Sequence, residues 1–279
     1  MRIIDGKEVS LYIKQKIKDE VSTMQTPPGL AVILVGDDPA SHVYVNNKKK
    51  ACEFCGFYSE SYELAADTDE KSLLELIDTL NEKDTIHGIL VQMPLPKHIN
   101  ADAVINRILP SKDVDAFSPV NVGKIMLGDF DFLPCTPAGV MELLKYYNID
   151  VCGKNCVVLG RSNIVGKPMS MLLLHSNATV TVCHSKTRDL KEITKKADVL
   201  VSAIGRPLFV TEDMVKEDAV VIDVGINRNA EGKLCGDVDF ENVSKKASYI
   251  TPVPGGVGPM TIAMLMQNTL TAAKLVKEN

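Results

Sequence analysis

The chain has 279 residues, 45% hydrophobic and 24% charged, with a formal net charge of −5. That length predicts one large or two medium domains with ample core, and the composition is that of a soluble globular protein. An acidic balance with no basic block argues against a nucleic-acid partner, no apolar run reaches membrane-spanning length, and the start Met1-Arg-Ile-Ile-Asp-Gly6 lacks a signal peptide's apolar core.

Lys7 to Met24 is predicted helical, with Val9, Ile13, Ile17 and Val21 spaced by four along one face. Pro27-Pro-Gly29 ends it, and Leu30 to Val35 reads as a buried strand. After the turn Gly36-Asp-Asp-Pro39, Ser41 is the expected N-cap of a helix from His42 to about Cys55, on which Tyr44 and Lys48 share a face. Asp67-Thr-Asp-Glu70 forms a capping pattern before Leu73, Leu76, Ile77 and Leu80. Gly88 to Gln92 reads as another strand, stopped by Met93-Pro-Leu-Pro96. Strands and helices alternating at these lengths predict a parallel sheet covered on both faces.

From Pro110 to Cys135 the regular pattern lapses and Gly, Asp and Pro become frequent. This reads as a domain crossing in which Val114, Phe117, Val120, Val122 and Ile125 still pack. Thr136 and Pro137 form an N-cap and first-turn pair for a helix from Ala138 to Tyr147. Strands are then expected over 156–160, 178–183, 198–203 and 219–224, with helices between the first three. Thr251 to Thr261 is a loop rich in glycine and proline, and a helix from about Thr261 to Lys277 follows. No internal repeat or low-complexity tract is visible. The seven cysteines mostly lie inside apolar runs; the lone Cys52-x-x-Cys55 pair reads as packing near a helix end rather than as a zinc or redox site. A reduced, cytoplasmic protein is expected.

The strongest local signal is Cys156-Val-Val-Leu-Gly160-Arg-Ser-Asn-Ile-Val-Gly166-Lys-Pro-Met169. Strand, tight turn and helix in that order are the entry to a nucleotide-binding βαβ unit. Gly160 lets the backbone turn, Gly166 lets helix and strand pack closely, and amides at the helix start would face a phosphate. A Walker A loop is excluded, because five residues separate the glycines and Pro168 stands where a hydroxyl is needed. A nucleophile elbow is excluded by Ile164 in place of the last glycine. With Ser162 in place of the usual middle glycine, an ordinary βα turn stays open. In the first half, Ser41 to Lys48, Gln92 and Asp113/Asp115 stand at or just after strand ends, where open parallel sheets bind ligands. Tyr44 and Lys48 also read as a surface pair, Gln92 as a satisfied edge amide and Asp113 as a loop-capping carboxylate. Against the bland reading of Lys48, it lies in a run of three lysines whose mutual repulsion favours loss of a proton by one of them. No motif calls for a metal.

Five motifs occur in order along nearly the whole chain: Ser41-His-Val-Tyr-Val-Asn-Asn-Lys48, Gly88-Ile-Leu-Val-Gln-Met-Pro-Leu-Pro96, Pro110-Ser-Lys-Asp-Val-Asp115, Gly160 to Pro168, and Thr251 to Thr261. Together they resemble the bifunctional methylenetetrahydrofolate dehydrogenase/methenyltetrahydrofolate cyclohydrolase family. One departure is Ala116, where the family's motif is usually followed by glycine; a methyl group there narrows the turn after Asp115.

The resemblance implies an α/β protein of two domains with a cleft between them. Residues 1–135 would form the folate-binding catalytic domain and 136–256 a Rossmann-like NADP-binding domain, with a final helix over 257–279 packing back on the first. It implies oxidation of 5,10-methylenetetrahydrofolate to the methenyl compound, hydrolysis of that to 10-formyltetrahydrofolate, and a homodimer. Lys48 would be the catalytic lysine, Gln92 would position its amine, and Tyr44 would stack on or orient the folate rings. Asp115 would bind the pterin amino edge, and Pro254, Gly255 and Thr261 would line the folate side. The cofactor side falls to Gly160, Arg161, Ser162, Gly166, Ser185, Arg188 and Ile226, with Asp223 a weaker candidate. NADP over NAD also follows from the residues. The second strand of the unit, Thr179 to Cys183, ends without an acid until Asp189, whereas an NAD site would place Asp or Glu there for the ribose 2′-hydroxyl. The alternatives are a monofunctional dehydrogenase of the same family, another two-domain NAD(P) oxidoreductase of a small acid, or a dinucleotide-binding sensor. The second would want an arginine for the acid, and none accompanies Tyr44, Gln92 or Asp115; the four polar residues together speak against the third.

Overall fold

Apolar runs of four to seven residues broken by glycine and proline make strands, and longer runs with a spacing of three and four make helices. The computed structural model describes residues 1–277. In chain order the first part holds β1 (Arg2–Ile3), α1 (Gly6–Val21), β2 (Gly29–Val35), α2 (Pro39–Cys55), β3 (Tyr58–Leu64), α3 (Glu70–Glu82), β4 (Gly88–Val91), α4 (Ala101–Arg107) and α5 (Pro119–Leu127). There follow α6 (Cys135–Tyr146), β5 (Asn155–Leu159), α7 (Gly166–His175), β6 (Thr179–Cys183), α8 (Leu190–Thr194), β7 (Val199–Ser202) and β8 (Val220–Asp223). A short hairpin β9 (Asn227–Arg228) and β10 (Leu234–Cys235), then α9 (Phe240–Val243), β11 (Tyr249–Ile250) and α10 (Val257–Lys277) complete it. Glu278 and Asn279, the end of the expected last helix, lie outside the described residues. No helix among the described residues is long and apolar enough to cross a membrane.

The chain divides into two compact units. One comprises Leu11–Leu133 and the chain from Ile262 onward. Its sheet is parallel, in the order β3-β2-β4. Every residue of the central β2 is buried, as a parallel strand covered on both faces requires. Ile33, Val35, Ile89 and Val91 pack with Leu73, Ile77 and Leu80, the buried stripe of α3. Asn268 on α10 donates to the carbonyls of Val114 and Leu133, both at 2.8 Å.

The other unit comprises Met1–Ser10 and Pro134–Thr261. Its sheet runs β1-β11-β8-β7-β5-β6, all parallel. Val157, Leu159, Leu200, Val221 and Ile250 are buried in its core. The first ten residues thus belong here, because β1 pairs with β11 in the register Arg2↔Tyr249, and not with the folate-binding span 1–135 expected from the sequence.

Several local expectations need correcting. Asp38, not Ser41, caps α2: its carboxylate accepts from the Ser41 amide at 2.9 Å, and Pro39 takes the first helical position. Thr136 lies inside α6, which begins at Cys135 after Pro134 without a side-chain cap. The stretch after Pro110 is not irregular throughout, since Ser118 caps α5 and Pro119 opens it.

On the edge strand β3, Tyr58, Glu60 and Tyr62 alternate onto one face. Tyr58 donates its hydroxyl to Glu60 at 2.6 Å, and Tyr62 and Lys83 donate to the same carboxylate. Burial opposes the anion, but Lys83 and the two hydroxyls outweigh it and hold the Glu60 carboxyl down at about 2. Because the folded value lies below the unfolded one, this stabilisation is complete above the ordinary glutamate range and is lost as pH falls toward 2. Glu60→Gln is therefore expected to lower the urea midpoint at pH 7 and to shrink the further loss of stability between pH 5 and 2. Parent and variant losing stability equally over that range would contradict it.

Candidate functional site

In the first unit the parallel pairing of β2 with β4 sets the carboxyl ends of the two strands side by side. The Gln92 amide donates to the Ile33 carbonyl at 2.8 Å, extending the ladder one residue past β4. Its side chain is thereby delivered at the strand end. α2 begins just beyond β2 and carries Tyr44 and Lys48 one turn apart, on the same face. Lys48 Nζ donates to Gln92 Oε1 at 2.8 Å, while Gln92 Nε2 donates to the Met93 carbonyl at 2.7 Å. The Met93 carbonyl accepts but cannot donate, so it fixes the amide with its oxygen toward the lysine. Lys48 is half-buried and Tyr44 is 39% exposed.

The stretch from Pro110 to Asp115 separates into braces and one site candidate. Lys112 Nζ donates to the carbonyls of Leu80 and Lys83 at 3.0 and 2.9 Å, closing the end of α3, and burial lowers its pKa. Asp113 is 3% exposed and accepts from the amides of Phe117 and Ser118, at 3.2 and 2.8 Å, and from Asn121 Nδ2 at 2.9 Å. It is a loop-capping carboxylate. Asp115 is half-buried and, with Val91, Met93 and Phe117, lines a cavity of about 10 Å³, room for one water. Ala116, fully buried, has a φ of 56°, the left-handed region in which a side chain costs about 1–2 kcal/mol. That backbone is the reason glycine suits the position after Asp115. Tyr44, Lys48, Gln92 and Asp115 thus all stand beyond the carboxyl ends of one three-stranded sheet.

In the other unit, β6 pairs with one side of β5 and β7 with the other, so the crevice beyond the ends of β5 and β7 is a topological switch point. Gly160 turns the chain there with a φ of 117°, and a Cβ on it would lie 2.3 Å from the Ala203 carbonyl oxygen. A Cβ on Gly166 would lie 2.3 Å from the Gly160 carbonyl oxygen. Both positions need glycine for close backbone approach. Ser162 modifies the expectation that the helix amides face a phosphate. Its hydroxyl accepts from the amides of Val165 and Gly166 at 3.2 and 3.3 Å, so these two are satisfied within the turn. Arg161 beside it is exposed.

Past β6, His184 and Thr187 brace a turn: the His184 amide donates to Thr187 Oγ1 and the Thr187 amide to the His184 carbonyl, both at 2.9 Å. Ser185 and Arg188 are exposed around that turn. Ile226, three residues past the end of β8, is 51% exposed. Pro254 is exposed, the Gly255 carbonyl accepts from the Gly6 amide at 2.9 Å, and Thr261 Oγ1 donates to the Gly258 carbonyl at 2.8 Å.

Residues 4–115 match the model of the tetrahydrofolate dehydrogenase/cyclohydrolase catalytic domain, and residues 134–277 that of the NAD(P)-binding domain. The chain belongs to the tetrahydrofolate dehydrogenase/cyclohydrolase family. A relative in Agathobacter rectalis called bifunctional protein FolD is 62% identical, over 98% of this chain and 99% of its own. Among solved structures, the bifunctional enzyme FolD of Campylobacter jejuni matches with a TM-score of 0.96 and 54% identity, over 99% of each chain. The Trypanosoma brucei methylenetetrahydrofolate dehydrogenase-cyclohydrolase, solved with NADP and an inhibitor, matches with a TM-score of 0.94 and 41% identity, over 99% of this chain and 98% of that one.

Within this family framework one candidate changes character, and the cysteine pair keeps the packing role read from the sequence. Asp223 is 3% exposed and turns inward, accepting from the amides of Gly225, Asp237 and Val238 at 2.9, 3.0 and 2.9 Å. Burial pushes its carboxyl up to about 6. It braces the loops past the strands and presents no oxygen to a ligand. Cys52 and Cys55 are fully buried, and burial pushes their thiols up to about 12 and about 11. Such thiols are inert packing. Asp237, fully buried among the loops of the cofactor unit, is a residue that the sequence reading passed over. The signal available was Gly236 before it, where a Cβ would fall 1.8 Å from Asp223 Oδ2.

Proposed function

We propose that the chain oxidises 5,10-methylenetetrahydrofolate with NADP and hydrolyses the product, 5,10-methenyltetrahydrofolate, to 10-formyltetrahydrofolate. The observation that carries this is the Lys48–Gln92 hydrogen bond at the sheet's carboxyl end, in a family that joins these two activities. Folate chemistry needs a proton carrier near the one-carbon bridge. A lysine held at one position by a neutral amide supplies it, moving a proton at the bridge nitrogen or at the attacking water. Tyr44, one turn away on α2, orients the ring system. Asp115 accepts from the pterin 2-amino group and N3–H, a donor pair that a carboxylate's two oxygens match. Pro254, Gly255 and Thr261 are assigned to folate contact on the family resemblance.

NADP fits the second unit on its own residues. Gly160 and Gly166 admit no side chain and so keep the turn tight against the end of β5, and Arg161, Ser185 and Arg188 are exposed donors around the ends of β5 and β6. These three suit a 2′-phosphate, and the turn after β6 carries no acid to hold a 2′-hydroxyl instead. NADP held by these residues would supply the acceptor for the hydride that leaves the methylene bridge. Ser162 and Ile226 complete the assigned contacts. A spectroscopic assay with methylenetetrahydrofolate and NADP tests the whole reading: methenyl product should form and then disappear, and its accumulation without decay would point to the monofunctional alternative.

A homodimer and a cytoplasmic location are part of the same reading. The edge strand β6 favours self-association. It is buried at Cys183 alone among its five residues, Val182 is 38% exposed, and Leu174 on the neighbouring α7 is 51% exposed. An open edge in a parallel sheet pairs readily. Sedimentation should give twice the 30.4 kDa chain mass, and a monomer at working concentration would remove the claim.

Arg161→Ala should weaken NADP by about tenfold or more, the loss of a charge-assisted hydrogen bond, and leave NAD nearly unchanged. Equal losses for both would show that Arg161 does not read the phosphate. Lys48→Met keeps the unbranched stem and removes the amine. Hydrolysis of methenyltetrahydrofolate should fall by about 10²- to 10⁴-fold with a smaller change in folate affinity. Hydride transfer needs no proton from the enzyme, so dehydrogenase activity should survive in part. A Lys48→Met enzyme that hydrolyses at the parent rate would sink the assignment.

A further inference from the structure

Asp237 lies two residues past β10 and is fully buried. Its Oδ2 accepts from Ser202 Oγ at 3.1 Å and from the amides of Ile204 and Gly205 at 2.8 and 3.3 Å. Its Oδ1 accepts from the Arg206 amide and from Asn227 Nδ2, both at 2.9 Å. Three consecutive backbone amides wrapped around an anion form a nest of the kind that usually holds a ligand's phosphate or carboxylate. Here the protein's own carboxylate fills it. Asp223 in turn accepts from the amides of Asp237 and Val238, which fixes the backbone that carries the Asp237 side chain.

The clamped segment follows β7 directly. It begins at Ala203, whose carbonyl the Gly160 turn approaches so closely. Asp237 therefore holds one wall of the switch-point crevice, with the Gly160 turn as the other. A dinucleotide in a doubly wound sheet spans such a crevice, its adenosine half over the first two strands and the other half across the reversal. Here β5 and β6 take the adenosine half, and the Ile204–Arg206 wall stands on the side of β7 and β8.

We propose that Asp237 is a positioning residue of the cofactor site, whose buried carboxylate sets the Ile204–Arg206 backbone and so the affinity for the nicotinamide half of the dinucleotide. This rests on the reading that the unit binds NADP. A mere loop brace would lower stability and leave the balance between the two halves of the ligand unchanged.

The full chain is titrated calorimetrically with NADP and with adenosine 2′,5′-bisphosphate, which carries the adenosine half alone. Asp237→Asn turns an NH₂ group toward backbone amides. It should weaken NADP by about tenfold, as when a charged acceptor is lost, and leave the bisphosphate within about twofold. Ser202→Ala removes one neutral donor from the carboxylate without leaving an orphan. It should weaken NADP by about threefold and the bisphosphate not at all. If Asp237→Asn does not fold, Ser202→Ala decides alone. Equal losses for both ligands, or no loss for NADP, would overturn the assignment. A parent chain that binds neither ligand would overturn the cofactor reading instead.

Discussion

The hydrogen bond from the Gln92 amide to the Ile33 carbonyl is the step on which the catalytic unit turns. β4 is buried along its whole length, and its side chains are all apolar or absent, so none of them offers a ligand a polar group. One more rung carries the chain out of the sandwich still in register with β2, and the next side chain is the first that can be polar and useful. The same register puts that side chain against α2, because α2 starts beyond the end of the neighbouring strand. Lys48 and Gln92 meet at 2.8 Å without either belonging to the core. A slip of one residue in the β2–β4 pairing would aim Gln92 at the opposite face and leave the lysine without this partner.

A second constraint recurs in both units. Loops beyond strand ends have amides that the sheet does not satisfy, and burying such groups unpaired is costly. Buried aspartates answer this: Asp113 takes the amides of Phe117 and Ser118, Asp223 those of Gly225, Asp237 and Val238, and Asp237 those of Ile204 to Arg206. Hydrogen bonds to a charged acceptor contribute about 1.5–3 kcal/mol each when the comparison is a broken bond, so each aspartate rigidifies its loop. The result is a fixed backbone next to each candidate site. Asp115 follows Asp113 by two residues, and the Ile204–Arg206 segment that faces the Gly160 turn is held by Asp237.

Legibility in the sequence followed the range of the interactions. β2 and β4 were visible because Leu30 to Val35 and Gly88 to Val91 are unbroken apolar runs, the mark of strands buried on both faces. β3 was not, because Tyr58-Ser-Glu-Ser-Tyr-Glu-Leu64 is an edge strand with mostly polar residues, and its pairing with β2 is a tertiary fact. β1 has two residues and exists only through β11, nearly the whole chain away. α5 carried a readable start at Ser118-Pro119, masked by the glycines and aspartates around it. Tyr44, Lys48, Gln92 and Asp115 stood out as motif residues at strand ends. Asp237 did not, because its partners at 202–206 and 227 come from other loops, and spacing along the chain says nothing about them.

The choice of a neutral partner for Lys48 bears on how one lysine can serve the proposed chemistry. A glutamate at position 92 would accept the same hydrogen bond, but its charge would favour the ammonium and resist proton release. An amide accepts from an ammonium and from an amine alike and adds no opposing charge, so Gln92 fixes the place of the lysine and holds its proton less firmly than a glutamate would. Its other end is anchored on the Met93 carbonyl, which prevents the amide from turning its NH₂ group toward the lysine. Hydride removal leaves the one-carbon bridge cationic, and the water that then attacks must lose a proton near a site already carrying positive charge. A lysine positioned by a dipole can take up and return that proton, and the sheet register that delivers Gln92 makes the arrangement available before any substrate binds.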